Sequence, residues 1–141
     1  YWEMLGVPVR AEVGPRDLNE RQVTLSERTT LKRSTVAFDE TVSAIERLFQ
    51  KITTELAERS RLTLKKMTVD AKETETLKKA IKERKIARIC WCEDESCAEK
   101  IKEETGGEIR GHRVDTEEKP ESPCIVCGKK AEKVVYVARA Y

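Results

Sequence analysis

Aromatic side chains are scarce in this chain, at 5% of its 141 residues. That scarcity argues against a nucleic-acid platform built on stacked rings, as in an RRM or OB-fold. Long apolar runs are missing as well, and none approaches the ~20 residues of a membrane-spanning helix, so no membrane partner is expected. The start of the chain shows no signal-peptide pattern, which makes a reducing cytoplasm the expected compartment and disulfides unexpected. Histidine occurs once, and there is no internal repeat. An excess of either charge is also lacking: 28 Lys and Arg stand against 26 Asp and Glu, for a net charge of +2. The chain is therefore no polycation, and any nucleic-acid surface must come from a local patch. What is plentiful is charge itself, at 38% of residues, which implies a modest core under a densely ionic surface. The length fits one ordinary domain or two small ones.

The apolar pattern divides the chain in two. "GVPVRAEVG" alternates apolar and polar from Val7 to Val13, the period of a half-buried strand, and Gly14-Pro15 should end it in a turn. "QVTLSERT" and "STVAF" read as two more strands around the basic turn "RTTLKRS". The period then changes. Val42, Ile45, Leu48, Phe49, Ile52 and Leu56 lie at helical spacing after Asp39 as N-cap, which predicts a helix over residues 40–60. "RLTLKKMTV" reads as a connector or short strand, and the boundary is placed there, giving units 1–65 and 66–141. In the second unit Asp70 and Glu73 have capping-box spacing before a helix through Leu77, Ala80 and Ile81. "KIARICW" is a strand, Ser96 and Glu99 repeat the capping-box spacing, and the helix they open should stop at Gly106-Gly107. "VDTEEKPESP" reads as a mobile polar linker, and "EKVVYVARAY" as a terminal strand. The fold class is α/β to α+β.

Five cysteines carry the strongest chemical signal. Cys92 and Cys97 form one pair, and Cys124 and Cys127, followed by Gly128, form a tighter one. Thiolates a few residues apart on a turn can converge on one tetrahedral ion, and two such pairs fill its shell. The helix expected after Cys92 places Cys97 at its positive end, which favours a thiolate. A structural Zn²⁺ is the reading this spacing favours, since four thiolates leave no open catalytic position. Buried structural thiols or disulfides are the alternatives, and the odd cysteine count weighs against disulfides. Cys90, two residues before Cys92 on the same strand face, reads as core or spectator. His112 has poor ligand spacing and reads as an exposed loop residue.

These residues resemble a known family. "GVPVRAEVGPRDL" is similar to the anticodon-binding domain of class IIa aminoacyl-tRNA synthetases. "WCEDESCAEKIKEETGGEIRG", with "CIVCGKKAEKVVYVARAY", is similar to the C-terminal zinc-binding domain of archaeal and eukaryotic-type prolyl-tRNA synthetases. The resemblance spans nearly the whole chain. It implies an N-terminally truncated, mixed-sheet anticodon-binding domain followed by a small α+β zinc-binding domain. The family's zinc ligands fall on Cys92, Cys97, Cys124 and Cys127. Its "VRRDTGEK"-like hairpin is replaced here by "LSERTTLKRS", in which only Arg28 has a counterpart among the family's two arginines.

The resemblance further implies a parent enzyme, an ATP-dependent proline–tRNA ligase acting as a cytoplasmic homodimer on tRNA(Pro). The chain begins "YWEMLG", without an initiator Met, and is expected to be a fragment of that longer polypeptide. ATP and Mg²⁺ would belong to an upstream catalytic domain; this stretch has no Gly-rich phosphate loop and no catalytic residue is expected in it. Read from composition alone, "RAEVGPRDLNER" is a solvated turn of mixed charge. With the resemblance it becomes an anticodon-reading rim. Proline anticodons share two guanines, whose N–H donors suit a carboxylate and whose O6 and N7 suit an arginine. Glu12, Arg16 and Asp17 would supply these groups, while Arg10 and Arg28 neutralise phosphates. A terminal aromatic is either accidental or docked; in this family Tyr141 would fold back to support the active site. The rival expectation is a stand-alone zinc-binding interaction module with no RNA role.

Overall fold

The structure, a computed structural model, describes residues 1–140. The chain forms two compact units, Tyr1–Leu62 and Thr63–Tyr141. Tyr141 itself lies outside the described residues.

The first unit is a three-stranded antiparallel sheet in the order β1-β2-β3, formed by β1 (Val9–Glu12), β2 (Gln22–Glu27) and β3 (Arg33–Ala37). Alternation gives the sheet two unlike faces. Val23 and Leu25 are buried with Ala44, and Val9, Val36, Ile45 and Leu48 pack around them. The opposite face is polar: Arg10, Ser26 and Arg33 are register partners, as are Glu12, Thr24 and Thr35. After β1 the chain does not simply turn. Pro15–Glu20 is a short helix, α1, with Pro15 at its start, where a missing N–H costs nothing. Asp17 reaches back to accept the Gly14 N–H at 2.9 Å and closes the helix start.

A 3₁₀ turn, Phe38–Glu40, leads into α2, Thr41–Met67. Asp39 therefore sits inside a turn rather than capping the helix. α2 runs seven residues beyond its expected end at residue 60 and absorbs most of the expected connector. Nothing in "RLTLKKM" stops a helix: it contains no Gly or Pro, and two lysines fall in the last turn, where the dipole favours them. Of the expected apolar stripe, Ile52 is buried and Ile45, Leu48 and Leu56 are half-buried, but Val42 and Phe49 lie exposed on its flank.

The second unit is a four-stranded mixed sheet in the order β4-β5-β7-β6: β4 (Thr68–Asp70), β5 (Ile86–Trp91), β6 (Gly107–Gly111) and β7 (Lys133–Arg139). β4 and β5 are parallel, joined by α3 (Thr74–Lys82); the β5–β7 and β7–β6 pairs are antiparallel. The core takes Leu77, Ala80 and Ile81 from α3, Ile101 from α4 (Glu95–Thr105), and Ala87, Ile89, Val135 and Val137 from the sheet. Each such Leu or Ile, fully buried, contributes about 1.5–3 kcal/mol. Gly107 packs tightly: a Cβ there would stand 3.0 Å from both Ile81 Cδ1 and Val137 Cγ1, so those side chains would have to give.

Both expected capping boxes are displaced. α3 begins after Glu73, which makes no side-chain cap, and Asp70 lies in β4, where Arg88 bonds it at 3.0 Å. α4 is capped by Asp94, whose Oδ1 accepts from Ser96 N at 3.0 Å and Ser96 Oγ at 2.8 Å. Asp is as good a cap as Ser, and starting at Asp94 gains the Ser96 hydroxyl as a second donor.

Candidate functional site

Three short segments of the second unit bring four sulfurs together. Cys92 follows the end of β5, and Cys97 is the third residue of α4. Cys124 and Cys127 form a tight turn in which Gly128 N–H bonds the Cys124 carbonyl at 2.9 Å. Gly128 adopts φ +69°, a conformation that side-chain-bearing residues rarely enter. Two further backbone bonds seat this turn: Ile125 N–H to the Cys90 carbonyl at 3.1 Å, and Cys124 N–H to the Lys129 carbonyl at 2.8 Å.

The four sulfurs of Cys92, Cys97, Cys124 and Cys127 all lie within 4.8 Å of one another. Cys92 Sγ is 3.7 Å from Cys97 Sγ and 3.6 Å from Cys127 Sγ. Metal–sulfur bonds of ~2.3 Å in a tetrahedron give edges of about 3.8 Å, so this donor set fits one tetrahedral ion. Cys97 and Cys124 are buried, Cys92 is half-buried and Cys127 is exposed, as a site near the surface requires. Cys90 is half-buried on β5 opposite Val134 and is not among the four, and neither is the exposed His112.

The thiols have unlike environments. Burial and the neighbouring Cys127 and Cys92 thiols push Cys97 up to about 12. Burial acts on Cys124 too, but backbone N–H groups of Cys127 and Val126 overcome it and bring Cys124 down to about 7. Cys124 is thus more readily a thiolate than Cys97, whose charge a cation would stabilise.

On the first unit, the expected RNA-binding residues separate into two pairs and a lone arginine. Arg10 and Glu12 meet on the polar sheet face, with Arg10 Nε donating to Glu12 Oε1 at 2.8 Å. Arg33, absent from the sequence reading, donates to the other Glu12 oxygen. Strand alternation was the signal available for it: Arg33 is the cross-sheet partner of Arg10 through Ser26. Arg16 and Asp17 belong to α1. Arg16 is 86% exposed and, among the described residues, pairs only with Glu20, at 3.0 Å. Asp17 is engaged internally, by Gly14 N–H at 2.9 Å and by Gln22 Nε2 at 3.3 Å. Arg28 lies over Gly6 and makes no side-chain hydrogen bond or ion pair among the described residues.

The first unit is thus a β1-β2-β3 sheet packed against a long helix, and the second a mixed-sheet unit in which four cysteines converge. Residues 1–48 match the family described as "Anticodon binding domain", and residues 74–141 the family described as "Prolyl-tRNA synthetase, C-terminal". The chain belongs to the prolyl-tRNA synthetase family and corresponds to its C-terminal part. It is 40% identical over 140 residues to a proline–tRNA ligase of Cenarchaeum symbiosum and 39% identical over 140 residues to one of Oceanobacillus iheyensis. Each match covers 99% of this chain and 29% of the relative, so the chain spans under a third of these relatives' length. A crystal structure of prolyl-tRNA synthetase from Cryptosporidium parvum, complexed with halofuginone and AMPPNP, superposes with a TM-score of 0.84 at 27% identity. That match covers 99% of this chain and 30% of the other.

Proposed function

We propose that this chain is the tRNA-recognising and metal-stabilised part of a cytoplasmic, homodimeric proline–tRNA ligase. Its first 65 residues read the anticodon of tRNA(Pro), and residues 66–141 fold around one structural Zn²⁺ held by Cys92, Cys97, Cys124 and Cys127. ATP and Mg²⁺ act in a catalytic domain elsewhere in the enzyme, and Tyr141 supports that site. The observation that carries the reading is the succession, on one chain, of an anticodon-binding domain and a four-cysteine unit of this family.

Arg16 is the residue best placed to meet a guanine, being exposed on α1 and tied, among the described residues, only to its helical neighbour Glu20. Asp17 shapes the turn that presents it, through its bonds to Gly14 and Gln22. Arg10 and Arg28 supply phosphate charge, and Glu12 orients Arg10. When bound, zinc would tie the end of β5, the start of α4 and the Cys124–Cys127 turn into one unit. No open coordination position would remain for substrate.

The test is binding of the chain to a proline anticodon stem-loop, with and without its two anticodon guanines replaced. Affinity should fall with rising salt, as phosphate contacts require. Each guanine replacement should weaken it by about 1–3 kcal/mol. Equal binding of all stem-loops, or none, would favour the stand-alone zinc module instead.

A further inference from the structure

The sheet face of the second unit that lies opposite its core carries one cross-strand row of polar side chains. Asp70 on β4, Arg88 on β5 and Tyr136 on β7 are direct register partners, so all three project from the same face. Onto this row comes Glu118, from the irregular connection between β6 and the second cysteine pair. Both of its oxygens are used, on two different strands: Arg88 Nε donates to Oε1 at 2.7 Å, and the Tyr136 hydroxyl donates to Oε2 at 2.8 Å. Arg88 is itself held from the other side by Asp70, at 3.0 Å. The Glu118 side chain is only 15% exposed, whereas residues 112–117 are all exposed and Val114 is 94% exposed. Glu118 is thus the first anchored residue in a stretch whose composition reads as a mobile linker.

We propose that Glu118 is a latch, a positioning residue that docks the connection on the Asp70–Arg88–Tyr136 row and so delivers Cys124 and Cys127 to Cys92 and Cys97. An undocked connection would have to close the whole distance from β6 to Cys124 as free chain, and closure entropy grows with loop length. Pinning it six residues before Cys124 leaves only a short stretch to order. A carboxylate that accepts one charge-assisted bond from a guanidinium and one bond from a phenol on the neighbouring strand is held at both oxygens, which fixes the loop's position. The metal half of this inference rests on the zinc reading above; the docking half does not.

Two variants test it in the whole chain. Glu118→Gln keeps the shape and removes the charge, while Tyr136→Phe deletes a single hydrogen bond and leaves the sheet intact. Amide hydrogen exchange of residues 112–123 reads docking, and the rate of zinc transfer to a competing chelator reads delivery. Exchange in the loop should rise in both variants, more in Glu118→Gln, with core amides at Leu77 and Ile101 still protected. Zinc transfer from Glu118→Gln should quicken about tenfold, the lower end of what support residues around a metal site cost. Loop exchange unchanged in both variants overturns the latch. Faster loop exchange with zinc transfer unchanged overturns its link to the metal centre. A wild-type chain that holds no zinc removes the zinc reading instead, and loop exchange then decides the latch alone.

Discussion

Cys124 and Glu27 show how much a single side chain decides here. Structural zinc sites contribute roughly 10–16 kcal/mol of apparent binding energy. Cys124→Ala should therefore lose the metal and unfold the second unit, measured as zinc per chain by elemental analysis together with the melting curve. Cys90→Ala should keep full zinc, since its sulfur is not among the four that converge. Glu27, 3% exposed at the end of β2, accepts from Lys51 Nζ at 2.6 Å and from the Thr30 hydroxyl. Chiefly through Lys51, and then Thr30, its carboxyl is held below the ordinary value of 4.5. A lowered carboxylate stabilises the fold fully above its unfolded value and loses that contribution as pH falls through the folded one. Glu27→Gln should then cost about 1.5–3 kcal/mol at neutral pH. In urea unfolding, the gap from wild type should close as pH drops below 4.5. A gap that does not narrow at all as pH falls below 4.5 would mean the loss comes from packing. The cysteine set was legible because ligand spacing is a local pattern. Glu27–Lys51 and Arg88–Glu118 were not, because each pair is made by residues far apart in the chain and joined only by the fold.

Elements rich in β-branched residues, and the long amphipathic helix, were legible from their periods; their ends were less so. α2 overran its expected end because no breaker interrupts it, and α1 was read as a turn because six residues are too few to show a helical period. β6 went unseen: "GEIRG" offers a single apolar residue between glycines, and it becomes a strand only by pairing with β7. Its glycine is also its most sensitive point. Gly107→Ala would place a Cβ 3.0 Å from Ile81 and Val137, two side chains locked in the core. Such overpacking costs about 1–3 kcal/mol. The expected result is a lower denaturant midpoint with the zinc stoichiometry unchanged. A midpoint equal to wild type would show that the core yields at this position.

At the scale of the whole molecule, under the proposed function the two units of modest core would serve different ends, one presenting charge to RNA and the other held by a metal. The family was legible in the sequence because the cysteine pairs, the helix between them and the terminal strand occur together in order. For the proposed RNA rim the sequence could not say which carboxylate is spent on a turn, since that depends on bonds such as Gly14 N–H to Asp17. The central claim is that the rim around Arg16 reads tRNA while the chemistry happens elsewhere. Its most direct test uses a full-length proline–tRNA ligase carrying this chain, with Arg16→Ala, assayed for tRNA prolylation and for proline-dependent ATP–pyrophosphate exchange. Prolylation should lose about 1–3 kcal/mol in kcat/KM for tRNA, roughly 5- to 150-fold, with exchange unchanged. An equal loss in both assays, or none in prolylation, would contradict the account.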